Sequence, residues 1–215
     1  MVKLTIVGRM HDGLPISQGR PVYDEEDDTI VFKKHAEFLL HEISMAALPP
    51  STTTIFLHHH CFNYMVRNGI CFITLCDVSY PRKLAFHYLQ DLQKEFDKID
   101  PEQVNKITKP YSFVKFDNVI CNIIRQYMDT RTQANLSKLK ADIHNKQEQD
   151  VHIEEMYVII ERRRRSDLLE RMMKAHKSTS PIWDSKTLES LVDTTTSESS
   201  ETLSQQATST AKRSA

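Results

Sequence analysis

Apolar and polar residues alternate near the start of the chain. Val2, Leu4 and Ile6 are separated by polar positions, and this period of two is typical of a half-buried strand. The sequence HDGLP that follows supplies the Gly and Pro of a turn. The chain is therefore predicted to begin with one strand that ends in a turn.

The helical repeat of three and four positions comes next. Apolar residues recur at this spacing between Ile30 and Leu48, where the sequence LPP ends the run, so a helix is predicted there. Residues 80–99 and 109–129 have the same periodicity and predict two more helices. The expected buried residues are Phe32, Ala36, Leu39, Leu40 and Ile43, then Leu84, Ala85, Tyr88, Leu89, Leu92 and Phe96, and finally Phe113, Phe116, Ile120, Ile123, Ile124 and Tyr127.

Residues 52–66 and 70–78 are rich in apolar, aromatic and β-branched residues, and each run predicts a strand. The sequence Arg-Asn-Gly lies between them, and Asn-Gly between two apolar runs is a strong hairpin signal. A strand, a helix, a hairpin and two helices in this order predict an α+β domain with an antiparallel sheet over residues 1–129.

Residues 130–177 contain no Gly or Pro and are highly charged, which predicts one long helix. Apolar residues begin a heptad seam that is interrupted at Lys146, Asp150 and Arg164, so a degenerate coiled-coil helix is expected. The expected contact residues are Leu136, Leu139, Ile143, Ile153, Met156 (or Tyr157), Ile160, Leu168 and Met172. Residues 178–215 are dominated by Ser and Thr, and this composition predicts a mostly disordered tail.

Charge and motifs exclude several classes of function. The formal net charge of −1 gives no overall attraction to nucleic acid or anionic membranes. The sequence has no Gly-rich phosphate loop, nucleophile elbow or zinc-protease motif, so neither an enzyme nor a cofactor is predicted. No stretch approaches the roughly 20 apolar residues of a membrane-spanning helix.

Cysteine and histidine residues offer two further candidates. Cys61, Cys71, Cys76 and Cys121 lie in apolar runs without a C-x-x-C pair, so buried, reduced thiols are expected. Cys71 and Cys76 are five apart in one strand and are predicted to face opposite ways. In a single strand His58 and His60 would share a face, but no second ligand cluster accompanies them, and a metal site is not predicted.

Several long strings resemble one known family. They are MVKLTIVGRMHDGLPIS, GICFITLCDVSYPRKLAFHYLQDLQKEFDKI, KPYSFVKFDNVICNIIRQYMDTRTQANLSKLKADI and HIEEM, which cover much of residues 1–156. With them the chain resembles the longin-domain R-SNAREs of transport between endoplasmic reticulum and Golgi, of the Sec-twenty-two type. The resemblance implies a five-stranded antiparallel sheet sandwiched by helices, with LPIS as a short second strand.

The resemblance also implies a mechanism and partners. The helix after the longin domain would join target-membrane SNARE helices in a four-helix coiled coil, and vesicle coat subunits would bind the longin domain. The longin domain would fold back on the helix and regulate its availability. The expected location is the cytoplasmic face of ER and Golgi membranes by resemblance, or the cytosol by the lack of an apolar span.

The sequence departs from the family pattern in its second half. The family has one central arginine in the seam, and counting places that position at Ile159 or Ile160. Arg162, Arg163, Arg164 and Arg165 follow two to six residues later and are the displaced candidates. A Ser/Thr-rich stretch follows where the family has a membrane anchor, so the chain is expected to bind trafficking partners without driving fusion by itself.

The sequence is compatible with more than one interpretation of the arginine run and of the whole chain. The arginine run is interpreted as a solvated helix face, with attraction to anionic membrane or contact with nucleic acid as the other interpretations. The chain is interpreted as a SNARE-type trafficking protein. A soluble longin adaptor or decoy that binds SNARE or coat partners is the alternative, and a truncated paralogue with a decayed helix is a third hypothesis.

Overall fold

The structure is a computed structural model that describes residues 1–19, 28–141 and 151–178. Within these residues the strands are β1 (Val2–Arg9), β2 (Leu14–Gly19), β3 (Thr53–Leu57), β4 (His60–Arg67), β5 (Ile70–Asp77) and β6 (His152–Glu155). The helices are α1 (Asp28–Ser44), α2 (Arg82–Phe96), α3 (Pro101–Asn105), α4 (Val114–Tyr127), α5 (Gln133–Ala141) and α6 (Met156–Ser178). The predicted seam residue Ile143 and the predicted tail from residue 179 onward lie outside the described residues.

One sheet joins all these strands in the order β2-β1-β5-β4-β3-β6. The first five strands in this order pair antiparallel with one another, which confirms the α+β prediction and the five antiparallel strands. The sixth strand, β6, pairs parallel with β3 and makes the sheet mixed. The sequence LPIS lies in β2, as the resemblance implied.

Side chains on the two faces of the sheet form two separate buried clusters. Along β5, Phe72 and Cys76 belong to the cluster covered by α2 and α4, whereas Cys71, Ile73 and Leu75 belong to the cluster covered by α1. This division follows from the period of two in a strand, and it confirms that Cys71 and Cys76 face opposite ways. Burial raises the pKa of both thiols, to about 12 for Cys76.

The helices bury the stripes that their spacing predicted. The α2 residues Leu84, Ala85, Tyr88, Leu89, Leu92 and Phe96 are buried, as are the α4 residues Phe116, Ile120, Ile123, Ile124 and Tyr127. Phe96 meets both Phe72 and Phe116 edge to face, at ring-centroid distances of 5.7 and 5.1 Å. These contacts fix α2 and α4 on one face of the sheet.

The outer edge of β2 is closed by the chain itself. The backbone N–H groups of Tyr111 and Phe113 donate to the carbonyls of Pro15 and Ile16, at 2.9 and 3.1 Å. The Asp117 carboxylate accepts a 3.0 Å hydrogen bond from the backbone N–H of Gln18 and another from the Ser17 hydroxyl. This edge is therefore not available for pairing with another strand.

The run of residues 52–66 is two strands and not one, so the expectation that His58 and His60 share a strand face is wrong. Leu57 pairs with His60, and His58 with His59 forms the turn between β3 and β4. His58 has φ +53°, a conformation that lets a two-residue turn match the twist of its strands. The predicted Asn68-Gly69 turn is also present, with φ +51° and +76°.

Residues 130–177 differ from the single long helix that their composition predicts. The helix α5 ends at Ala141, and residues 142–150 lie outside the described residues. The strand β6 follows, and α6 begins directly after it. An isolated helix is marginal in water, whereas residues 152–155 gain backbone partners along β3. The chain divides into two units after Ile160, and the described part of the second unit is the rest of α6.

Core burial leads to a prediction about stability. Leu92 of α2 is fully buried in the cluster that α2 and α4 cover. Leu92→Ala should therefore lower the free energy of unfolding by about 2–5 kcal/mol. Ile30→Ala, at a site 64% exposed on α1, should change it by no more than about 0.5 kcal/mol. Urea unfolding followed by circular dichroism measures both, and equal effects would contradict this assignment of the core.

Candidate interaction site on the sheet edge

The strand β6 lies along the edge of β3 that faces away from β4. His152, Ile153, Glu154 and Glu155 stand opposite Thr53, Thr54, Ile55 and Phe56 in a parallel register. The backbone N–H of His152 donates to the carbonyl of Thr52 at 3.1 Å. The segment that was predicted as the middle of a coiled-coil helix therefore supplies backbone partners to a sheet edge.

The first turn of α6 inserts side chains into a core cluster. Met156 and Ile159 are each 1% exposed and belong to the same cluster as Leu40 and Ile55, and Ile160 packs against it half-buried. Ile153 and Tyr157 point outward and are 51% and 71% exposed. Of the two alternatives in the predicted seam, the structure buries Met156 and leaves Tyr157 in solvent.

The position expected for the family arginine is apolar and buried in this chain. Ile159 lies in the cluster covered by α1, and Ile160 borders it. An unpaired guanidinium at Ile159 would lose its hydration, which costs several kcal/mol. Isoleucine at position 159 therefore suits the packing of the first turn of α6 in this cluster.

The displaced arginines occupy the second unit of the chain. Arg162, Arg164 and Arg165 are exposed and Arg163 is half-exposed. Within α6, Arg163 pairs with Asp167 at 3.1 Å and Arg165 pairs with Glu161 at 3.3 Å. Both pairs are four residues apart on an exposed helix surface, where such pairs stabilise weakly.

The last predicted seam residues are exposed. Leu168 and Met172 are 58% and 53% exposed, and their neighbours Leu169 and Met173 are 61% and 65% exposed. These four residues form a broad apolar face on α6, and none of them belongs to either buried cluster.

The helix α5 docks on the opposite face of the sheet from Met156. Its predicted seam residue Leu139 packs half-buried against the cluster of α2 and α4. The Asn135 side-chain amide donates to the carbonyls of Gln126 and Asp129, at 3.0 and 2.6 Å. The sequence pattern did not identify Asn135, although it is only 2% exposed.

A charged clasp adds to the docking of α5. Lys138 Nζ lies 2.9 Å from Asp91 Oδ2 and 4.1 Å from the ring centroid of Tyr127, whose hydroxyl donates to the same carboxylate. Burial raises the pKa of Asp91, but the hydrogen bonds from Tyr127, Lys138 and Lys94 outweigh it and lower that pKa to about 2. Burial and the Asp91 carboxylate raise the pKa of Tyr127, so its proton stays in the clasp at neutral pH.

The predicted seam residues are thus not one continuous stripe in this structure. Leu139 packs on one sheet face and Met156 and Ile160 pack on the other, while Ile153, Leu168 and Met172 are exposed. Three features were not predicted from the sequence: the burial of Ile159, the pairing of β6 with β3, and the clasp of Lys138 with Asp91. Val151 and Ile153 alternate with a polar residue before Glu154, which was a weak strand signal.

A cleft of about 900 Å³ lies at another part of the domain, at the end of the β4–β5 hairpin. Ile70, Phe72 and Phe96 contribute apolar surface to it, and the exposed residues His11 and Arg67 also line it. No residue of β6 or α6 lines this cleft, so it is distinct from the sheet-edge site.

The described residues lack two features, a metal-ligand cluster and a membrane-spanning helix. No group of three His, Cys, Asp or Glu side chains is placed there to hold a metal ion. None of the helices in residues 28–141 and 151–178 combines the length and apolar character that crossing a membrane requires.

Comparisons with known proteins agree with the fold. Residues 23–120 match the model of the longin family, described as a regulated-SNARE-like domain. The chain is 35% identical over 144 residues to the 25.3 kDa vesicle transport protein SEC22-1 of Arabidopsis thaliana, covering 67% of this chain and 66% of that protein. The aligned segment therefore spans about two thirds of the length of that relative.

Two further relatives come from distant organisms. The vesicle-trafficking protein SEC22b of Xenopus tropicalis is 33% identical over 148 residues, which is 68% of each chain. The protein transport protein sec22 of Schizosaccharomyces pombe is 35% identical over 144 residues, 66% of each chain. With identity above 30% over two thirds of such a relative and a longin domain of the expected architecture, the chain belongs to the SEC22 family of longin-domain vesicle-transport proteins.

Proposed function

We propose that this chain acts as a SNARE-type protein in vesicle transport between endoplasmic reticulum and Golgi. It would pair with target-membrane SNARE helices through the seam of Leu136, Leu139, Ile143, Ile153, Met156, Ile160, Leu168 and Met172. Family membership and the names of the relatives support the trafficking role. The observation that carries the mechanism is the burial of Met156 and Ile159 in the longin core.

The same segment cannot serve the longin domain and a coiled coil at once. In the structure residues 152–155 are extended along β3, and Met156 is 1% exposed in the core cluster. A coiled coil would need this stretch as a helix with Met156 turned towards partner helices. The longin domain therefore competes with SNARE partners for the segment, and the folded-back state limits when assembly begins.

The competition has a definite energetic scale. Burying one Met or Ile side chain contributes about 1.5–3 kcal/mol, so Met156 and Ile159 together favour the folded-back state by several kcal/mol. A ligand shifts such an equilibrium only by the difference between its affinities for the two states. Partner helices must therefore bury at least an equal apolar area to release the segment.

A second contact holds the start of the predicted seam. The clasp of Asp91, Tyr127 and Lys138, with the buried amide of Asn135, keeps α5 and its Leu139 on the α2–α4 face. Coat subunits of the vesicle are the second partner class of this proposal, and they would bind the longin domain at the cytoplasmic face of ER or Golgi membranes. Ile153 and Tyr157, exposed beside the sheet edge, are the side chains such a partner could contact in the folded-back state.

Met156→Lys tests the folded-back state. The charge would have to be buried without a partner, so residues 152–160 should detach from β3 and their amide hydrogen exchange should rise by at least about tenfold. Tyr157→Lys is the matched control, because it adds the same charge at a site that is 71% exposed. Unchanged exchange in α2 and α4 verifies that the domain stays folded, and equal exchange in both variants would refute the folded-back role.

Leu168→Asp combined with Met172→Asp tests the coiled-coil contact. In pull-downs against a panel of target-membrane SNARE helices, the double variant should lose binding by at least about tenfold, because each apolar contact contributes about 1.5–3 kcal/mol. Val114→Asp combined with Ile30→Asp is the control, because both sites are exposed apolar positions on longin helices. Partner binding that survives the Leu168 and Met172 changes would contradict this seam and fit the adaptor hypothesis.

Asp91→Asn tests the clasp on α5. It should shift the NMR signal of the Asn135 side-chain amide towards its free position. Asp97→Asn, which changes an exposed carboxyl at the C-cap of α2, should not shift it. In the unchanged chain, the Asp91 carboxylate contributes fully to the docking of α5 above the ordinary Asp pKa of 3.8. This contribution is lost as the pH falls through about 2, where the carboxylate takes up a proton. An Asn135 signal that moves instead near neutral pH would be inconsistent with control by Asp91.

A further inference from the structure

The arginine run of α6 lies outside the apolar seam residues proposed above. Arg162, Arg163, Arg164 and Arg165 stand in one turn of the helix, with Arg171 and Lys174 further along. The segment of residues 162–174 contains only Asp167 and Glu170 as acidic residues, so its local charge is strongly positive although the whole chain is near neutral. Three helix-surface ion pairs, Arg165 with Glu161, Arg163 with Asp167 and Lys174 with Glu170, offset only part of this charge.

We propose that residues 162–174 of α6 bind the surface of an anionic lipid bilayer. The arginines would lie among the phosphate and carboxylate headgroups, and the apolar residues of the next two turns would enter the boundary with the acyl chains. This inference goes beyond the proposed coiled-coil function and does not depend on it.

The first support is the geometry of the apolar face. At about 100° per residue, Leu168, Leu169, Met172 and Met173 fall within an arc of about 140°. All four are more than half exposed. An amphipathic helix with a broad apolar face and nearby basic residues is the kind that lies in a membrane interface.

The width of this face distinguishes a bilayer from a coiled-coil partner. A coiled-coil seam buries only a narrow apolar stripe, and Leu168 and Met172, four residues apart, would form that stripe here. Leu169 and Met173 lie beside that stripe and are the more exposed pair, at 61% and 65%. A bilayer surface covers both pairs, whereas a seam covers mainly one.

The second support is the position of the charges. Arg162 and Arg165 lie on the same arc as the apolar residues, one to three turns before them, and the Arg165 side chain is 76% exposed. Long arginine side chains reach headgroup phosphates while their methylene stems stay on the apolar side. Clusters of four or more basic residues on an amphipathic helix attract anionic lipid.

Nucleic acid is the other polyanion that an arginine run could bind. Phosphate contacts would engage the guanidinium groups but would leave the four apolar side chains of the next turns in water. The combination of charge and apolar area on one face therefore favours lipid. A membrane-bound α6 would also keep Leu168 and Met172 from the coiled coil until partner helices displace the lipid.

Vesicle flotation with the full 215-residue chain tests the proposal. Binding is measured on phosphatidylcholine vesicles with and without phosphatidylserine, at low and high salt. We expect binding only to the phosphatidylserine vesicles, with weakening at high salt because the Debye length shortens. Changing Arg162, Arg163, Arg164 and Arg165 together to Gln should weaken binding by at least about tenfold.

Two matched variants make the test specific. The control variant changes Lys83, Lys98, Lys106 and Lys115 together to Gln, which removes the same charge from exposed longin positions and should leave binding unchanged. Leu169→Gln with Met173→Gln should weaken binding by at least about tenfold at constant charge. The proposal would be overturned if the chain failed to bind phosphatidylserine vesicles, or if the lysine control lost as much binding as the arginine variant. It would also be overturned if the Leu169 and Met173 changes had no effect, or if the chain bound RNA more tightly than vesicles at the same salt.

Discussion

An edge strand leaves a row of backbone N–H and C=O groups without partners, and β3 has such an edge on the side away from β4. In this chain the edge is covered by residues 152–155, which return from a part of the sequence about one hundred residues later. The opposite edge, on β2, is closed by Tyr111, Phe113 and Asp117. The β2 edge of the sheet is therefore closed by residues of the longin domain. The β3 edge is closed by residues 152–155, which the longin domain would have to release before they could join a coiled coil.

The covering of β3 also determines where the apolar residues of the second half can lie. Once β6 is in register, α6 begins at Met156, and its first turn places Met156 and Ile159 in the cluster under α1. Isoleucine at position 159 fits this cluster, where an arginine would be unpaired. Burial of Ile159 stabilises the packing of α6 on the sheet. Under the proposed function, assembly with partner helices would have to overcome that stabilisation.

The register of β6 also gives the two halves of α6 different surroundings. Residues up to Ile160 pack on the longin domain, whereas Leu168, Leu169, Met172 and Met173 remain exposed. An exposed apolar face next to an arginine run is costly in water unless something covers it, and a SNARE helix or an anionic bilayer surface would do so. If both proposals hold, competition among the longin core, partner helices and lipid would give the segment three states with different exposed surfaces.

The sequence by itself determined the elements whose side chains pack against near neighbours. The stripes of α2 and α4, the opposite orientation of Cys71 and Cys76, and the Asn68-Gly69 hairpin all follow from periodicity or local turn chemistry. Only the tertiary structure decided the His58-His59 turn, the strand at residues 152–155 and the clasp of Lys138 with Asp91. Residues 152–155 have no strand pattern strong enough to outweigh the helical composition around them, because their partners are the backbone groups of β3, far away in the sequence. Long-range backbone pairing and the burial of Met156 and Ile159 leave only a weak periodic trace in a segment of four residues. Only the folded chain therefore shows which segment covers the edge of β3.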